Sequence, residues 1–114
     1  MHGYQIRQII MKMYFIQNLI KDGKWDELKR NVIVTDETIE DSICAIEDYP
    51  GQMTECSIDE FSDEMRFDDF DGYNIEAVSQ FWYDGAVSDL SMECIFSFEG
   101  RKLKSITLEQ IHVF

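Results

Sequence analysis

The chain is predicted to be an α+β domain, with N-terminal helices packed on one face of a curved antiparallel sheet formed mainly by the C-terminal half. Three observations predict this. Apolar residues recur at three- and four-residue spacing in the first half, as on a helix with one buried face. Ile75 to Tyr83 is rich in β-branched and aromatic residues, and from Leu90 to Phe98 apolar residues alternate with mostly polar ones, as on half-buried strands. Asp-Gly and Pro-Gly pairs mark the boundaries between these stretches. At 114 residues, with 45% apolar and 13% aromatic side chains, one domain spanning 1–114 with a real core is expected.

Ile6, Ile9, Ile10, Met13, Ile16, Leu19 and Ile20 define the first helix, which Asp22-Gly23 is placed to stop. Residues 24–30 continue for a turn or two with Trp25 and Leu28 facing inward. Val32-Ile33-Val34 reads as a linker or a brief strand. Thr35 and Asp36 are suitable caps for a second long helix, and Asp36, Glu37 and Glu40 favour its positive end. Ile39, Ile43 and Ile46 mark the inner face of that helix, and Pro50-Gly51 ends it. Residues 52–72 are less regular: a short helix near 58–65, then a loop closed by a turn at Asp71-Gly72. Ile75 to Tyr83 is a strand. Asp84-Gly85 leads to a second strand carrying Leu90, Met92, Cys94, Phe96 and Phe98 on one face. Glu99 to Lys102 is a hairpin turn, and Leu103 to Phe114 a third strand, giving an antiparallel meander.

Charge is distributed unevenly. Residues 36–71 hold fourteen acids and one base, a net of −13 that equals the net charge of the whole chain. The first 35 residues carry +3 and the last 43 carry −3. Such a surface disfavours direct contact with nucleic acid or an anionic membrane and favours a basic protein partner. The acids are interleaved with Ile, Phe, Met and Tyr, so the segment is expected to be folded with one wet face.

Chemistry has little to build on. Cys44, Cys56 and Cys94 are odd in number and show no C-x-x-C, which suits three buried free thiols in a reducing compartment. The apolar run 6–20 is too short and too polar for a membrane span, and no cleavage site follows it, so the cytoplasm is the expected location. Asp68-Asp69-Phe70-Asp71-Gly72 resembles a calcium loop in composition. Counted from Asp69, however, the Gly falls fourth and Gln80 twelfth, which fails the required spacing. Asp84 and Asp89 read as turn and strand-end residues. Cys94 and His112 could meet on neighbouring strands, but each has a plain structural reading. No nucleophile elbow, phosphate loop or zinc helix is present, so no catalytic or metal-ligating residue and no cofactor is assigned.

Two binding readings remain. In one, Phe81, Trp82 and Phe96 line an apolar pocket between the first helix and the sheet, for a small ligand to be bound or converted. In the other, the acidic third is a protein interface. Its steering groups are Glu37, Glu40, Asp41, Glu47, Asp48, Asp59, Glu60, Asp63, Asp68, Asp69 and Asp71, and its aromatic anchors are Tyr49, Phe61 and Phe70. Acidity serving solubility alone is the bland alternative, which acids dispersed around the surface would favour.

The run Ser88-Asp89-Leu90-Ser91-Met92-Glu93-Cys94 and the ending Leu108-Glu109-Gln110-Ile111-His112-Val113-Phe114 resemble small bacterial proteins that combine an N-terminal helix, an acidic second helix and a terminal meander. The order of elements is similar to the cystatin-like, or nuclear-transport-factor-like, α+β cone. Over residues 36–114 the pattern resembles the acidic immunity proteins of contact-dependent inhibition and related polymorphic toxin systems. That resemblance implies a non-enzymatic inhibitor of a basic toxin domain, often a nuclease, and supplies no catalytic residue.

Overall fold

In the computed structural model, residues 1–113 are described, and they form four helices and five strands. Helix α1 spans Gly3–Lys21, α2 Trp25–Asn31, α3 Asp36–Asp48 and α4 Ile58–Asp63. Strand β1 is Met53–Thr54, β2 Arg66–Asp69, β3 Asn74–Tyr83, β4 Ala86–Glu99 and β5 Lys102–Val113. The α+β class, with helices first and an antiparallel sheet last, is as the sequence predicts. Helix α1 starts earlier than its apolar stripe, because the Gln5 side chain accepts a hydrogen bond from the His2 N–H at 2.8 Å and anchors the first turn. Thr35 caps α3 through the Thr38 N–H, and Ser57 and Glu60 cap α4 reciprocally.

The sheet runs β1-β3-β4-β5, with β2 also paired to β3. Thus β1 and β2 share one flank of β3: β1 opposite Trp82 and Tyr83, β2 opposite Ile75 to Val78. Helix α4 lies between them in the chain. The expectation of a loop over 66–72 is corrected: Arg66–Asp69 is a strand, and only the short connection from Phe70 to Tyr73 is irregular. Phe67 of this strand packs on the core while Arg66, Asp68 and Asp69 stay exposed, a two-residue alternation too short to recognise among so many acids. At the other flank Ile33 makes a parallel bridge to Thr107: its N–H donates to the Ile106 carbonyl at 2.7 Å, and its own carbonyl accepts from Leu108 at 3.0 Å.

Strand alternation divides the sheet into two unlike faces. Ile75, Ala77, Phe81 and Tyr83 of β3 and Leu90, Met92, Cys94, Phe96 and Phe98 of β4 join Ile9, Met13 and Ile16 of α1 in one core. Leu28 of α2 and Phe61 of α4 belong to the same core, and Ile46 of α3 packs against it. Within it, Gln17 satisfies two polar groups. Its amide donates to the Gln80 carbonyl at 2.9 Å and accepts from the Ser79 hydroxyl at 2.8 Å, beside the irregular pairing between Gln80 and Trp82. The opposite face, with Glu76, Val78, Gln80 and Trp82 on β3 and Ser91, Glu93, Ile95 and Ser97 on β4, carries no helix.

Tyr83–Ala86 is a two-residue hairpin. Asp84 and Gly85 both take positive φ, +53° and +78°, as this turn demands. The turn also holds the chain leaving α3. Asp84 donates its N–H to the Gln52 carbonyl at 2.8 Å, and its carboxylate accepts the Gln52 N–H at 3.1 Å.

Candidate functional site

The acidic side chains fall into groups that the linear sequence does not separate. Glu37, Glu40, Asp41, Glu47 and Asp48 are all exposed on α3, which packs along β5. Asp59, Glu60 and Asp63 are exposed on α4, at the far flank of the sheet. The start of α3 is thus remote from α4, whereas its last turn, with Glu47 and Asp48, comes back to β3 where Tyr49 meets Tyr83. Asp68 lies on β2, turned to the helix-free face opposite Glu76.

The loop after β2 uses its acids internally. The Asp69 carboxylate accepts the Gly72 N–H at 2.6 Å and pairs with the Met1 amino group at 2.9 Å. Asp71 accepts the N–H groups of Tyr73 and Asn74 at 2.9 and 2.8 Å, and the Asn74 amide at 3.1 Å. These hydrogen bonds favour the carboxylates and hold both below the usual carboxyl range. In Asp69 the bond to the N-terminal amine leads, and in Asp71 the backbone of Asn74. The resemblance to a calcium loop is thus the signature of an Asx-type turn. Among the described residues, no three His, Cys, Asp or Glu side chains are arranged to hold a metal ion.

Of the three expected anchors, Phe61 is corrected: it is fully buried, its ring edge-on to Tyr14 at 5.2 Å, and serves the core. Tyr49 is half-buried, 4.5 Å from the Tyr83 ring, with its hydroxyl donating to Asp89 at 2.5 Å. It secures the end of α3 to the sheet. Phe70 alone stands out in solvent, at 56% exposure. Cys94 is buried on the core face, which pushes its thiol pKa up, whereas His112 lies on the opposite face beside Glu93, so the two do not meet. Asp84 braces its hairpin against Gln52, and Asp89 receives Tyr49, so both are structural. Phe81 and Phe96 are fully buried, and the hollow beside α1 at Tyr14, Gln17 and Phe81 holds about 10 Å³, room for one water.

The acids that sequence reasoning missed, Glu76, Glu93 and Glu109, join the expected Asp68 on the helix-free face. Asp68 sits directly opposite Glu76, and Glu93 is one diagonal step away on β4, opposite Val78. Glu93 pairs in turn with Gln110, beside the extra residue Glu109 at a bulge of β5. These four carboxylates come from four strands. Burial, and then the negative charges of Glu93, Glu109 and Asp68 together with a hydrogen bond to Glu109, push the Glu76 pKa above its ordinary value. Glu93 accepts from the Gln110 amide and lies 3.0 Å from His112 Nε2. The only signal in the sequence is that Glu76, Glu93 and Glu109 occupy strands whose other polar residues are mostly uncharged.

Along β3 this face is hollowed. A space of about 300 Å³ beside Trp82 and Ala86 continues into one of about 510 Å³ over Met65, Gln80 and Ser88, the two sharing Asp63, Glu64 and Val87. Arg66 joins the second to a third of about 250 Å³ between Val78 and Glu93. Seven carboxylates border this open trough against one guanidinium, while Trp82, Val78 and Val87 give it an apolar floor. Its chemistry is that of a surface for cations on apolar stems.

Among the described residues no helix is long and apolar enough to cross a membrane. No curated protein and no solved structure matches the chain. A family model does match, over residues 17–114, from within α1 through all five strands. The chain belongs to that family, described as a domain of unknown function (DUF7668).

Proposed function

We propose that this protein is an immunity-type inhibitor, a cytoplasmic, non-catalytic module of a bacterial toxin system that binds a basic toxin domain, such as a nuclease, through its acidic surface. The observation that supports this reading is how the fold spends its residues. Phe81 and Phe96, two of the aromatic side chains that could have lined a pocket beneath α1, are buried in the core, and the third, Trp82, lies on the opposite face of the sheet, while acids from α3, α4 and four strands stay at the surface with few cations against them. Lys29 with Asp36, at 2.8 Å, and Lys21 with Asp22 and Glu55 draw on acids outside the trough, whereas within it Glu93 lies 3.0 Å from His112 Nε2 and Arg66 stands among the acids. A field of one sign accelerates encounter with a basic surface and repels nucleic acid, so an inhibitor of this kind would compete with a nuclease's substrate for the same basic site.

The test is association with a basic toxin domain sought among the products of the neighbouring genes, followed by stopped flow at low and high salt, together with the activity of that domain in the complex. A 1:1 complex that abolishes the activity, with an on-rate that falls steeply with salt, is the expected result. An on-rate unchanged after reversal of four surface acids would remove the electrostatic basis of this reading.

A further inference from the structure

We infer that the docking face is the helix-free face of the sheet, with the trough along β3 receiving a lysine- or arginine-rich segment of a protein partner, rather than the exposed acids of α3. This rests on the proposed function and names its surface.

Three observations separate the two acidic regions. First, the open face holds like charges against one another. Asp68 opposes Glu76 in register, with Glu93 and Glu109 close by, an arrangement that costs stability in a sheet and that a bound cation relieves. The α3 acids are spread over the outside of a helix, where water screens them. Second, the open face is concave and has an apolar floor in Trp82, Val78 and Val87, which suits the methylene stem of a long basic side chain. The hollow against α3, at Thr38, Asp41 and Ser42, is smaller, about 120 Å³, with Ile111 as its one apolar lining residue. Third, no helix adds a core residue on this face, and α4 reaches it at the rim through Glu60 and Asp63.

Charge complementarity selects the occupant. A second copy would set the same carboxylates against themselves, and a phosphate backbone would be repelled. A cationic protein segment gains at both levels, with charge on the rim and stems on the floor.

The probe is a synthetic deca-lysine peptide, titrated into the isotope-labelled full chain at low salt and followed by backbone amide shifts. Two triple variants lose the same net charge in different places: Asp68→Asn/Glu76→Gln/Glu93→Gln on the sheet and Glu37→Gln/Glu40→Gln/Glu47→Gln on α3. The expected result is shifts concentrated on β2, β3 and β4, with roughly tenfold weaker binding for the sheet variant and less than about threefold for the α3 variant. Shifts centred on α3, or equal losses in the two variants, would overturn this inference and leave the basic-partner reading standing. No binding by the unmodified chain at low salt would overturn both. Mapping on the unmodified chain decides the location even if the sheet variant folds poorly.

Discussion

Asp68 on β2 and Glu76 on β3 face each other in register across an antiparallel pair, two carboxylates where a sheet normally places opposite charges or apolar partners. The folded state tolerates a charged Glu76 less well than the unfolded chain does, because burial and then the Glu93, Glu109 and Asp68 charges raise its pKa. For a carboxyl raised on folding, the destabilisation is fully present above the folded pKa and fades as pH falls through it. Glu76→Gln is therefore expected to stabilise the protein at pH 7, by about 0.5 kcal/mol. The gain should shrink on acidification toward pH 4. Thermal melts across that window measure it, and a loss of stability at pH 7 would contradict the repulsion argument.

Gly51 carries a different strain. Its φ is +98°, and an added Cβ would stand 2.4 Å from the Asp84 Oδ2 atom. Gly51→Ala is expected to cost about 1–3 kcal/mol. Gly23, at φ +70°, has nothing within 4 Å of such a Cβ. Gly23→Ala should cost less, about 1 kcal/mol, from backbone conformation alone. Urea midpoints for the pair separate the steric part from the conformational part.

Two phenylalanines nine residues apart should behave oppositely. Phe61→Ala opens a cavity against Tyr14 and the core and is expected to cost about 3–5 kcal/mol. Phe70→Ala removes an exposed ring and should change stability by less than about 0.5 kcal/mol. If Phe70 contributes to partner binding, its variant will lower affinity without moving the urea midpoint.

The three thiols should react in a fixed order. The expectation of three buried thiols is corrected for Cys44, which is exposed on the outer side of α3 and should be modified at once by an aromatic disulfide reagent. Cys56 is half-buried, with its pKa pushed up to about 11 by burial and then by Glu60, so its reaction should be slow and should accelerate as pH rises. Cys94, fully buried, should wait for unfolding. Mass spectrometry of timed quenches reports the order, and early modification of Cys94 would contradict the packing.

Much of the fold was legible. The stripe from Ile9 to Ile20, the Thr35 cap and the alternation from Leu90 to Phe98 each report a local preference that the packing obeys. Strand β2 was hidden because four residues with one core-facing side chain give no measurable period, and Asp68-Asp69 disfavours a strand until β3 is beside it. The surface was less legible for a related reason. The acids of 36–71 were visible as a block, but the row from Asp68 through Glu76 and Glu93 to Glu109 depends on strand register. Likewise, whether Phe61 or Phe70 points outward depends on the turn of helix or loop that carries it.

The flank of β3 that β1 and β2 divide between them has one more consequence. A long, flat border strand offers unpaired backbone groups to any neighbouring chain and invites runaway stacking of copies. Here that border is broken into pieces of two and four residues, and the longer piece presents Arg66, Asp68 and Asp69 to solvent. This flank therefore offers a second copy little continuous backbone to extend, in contrast to the twelve-residue β5 at the other border, where Ile33 bridges Thr107.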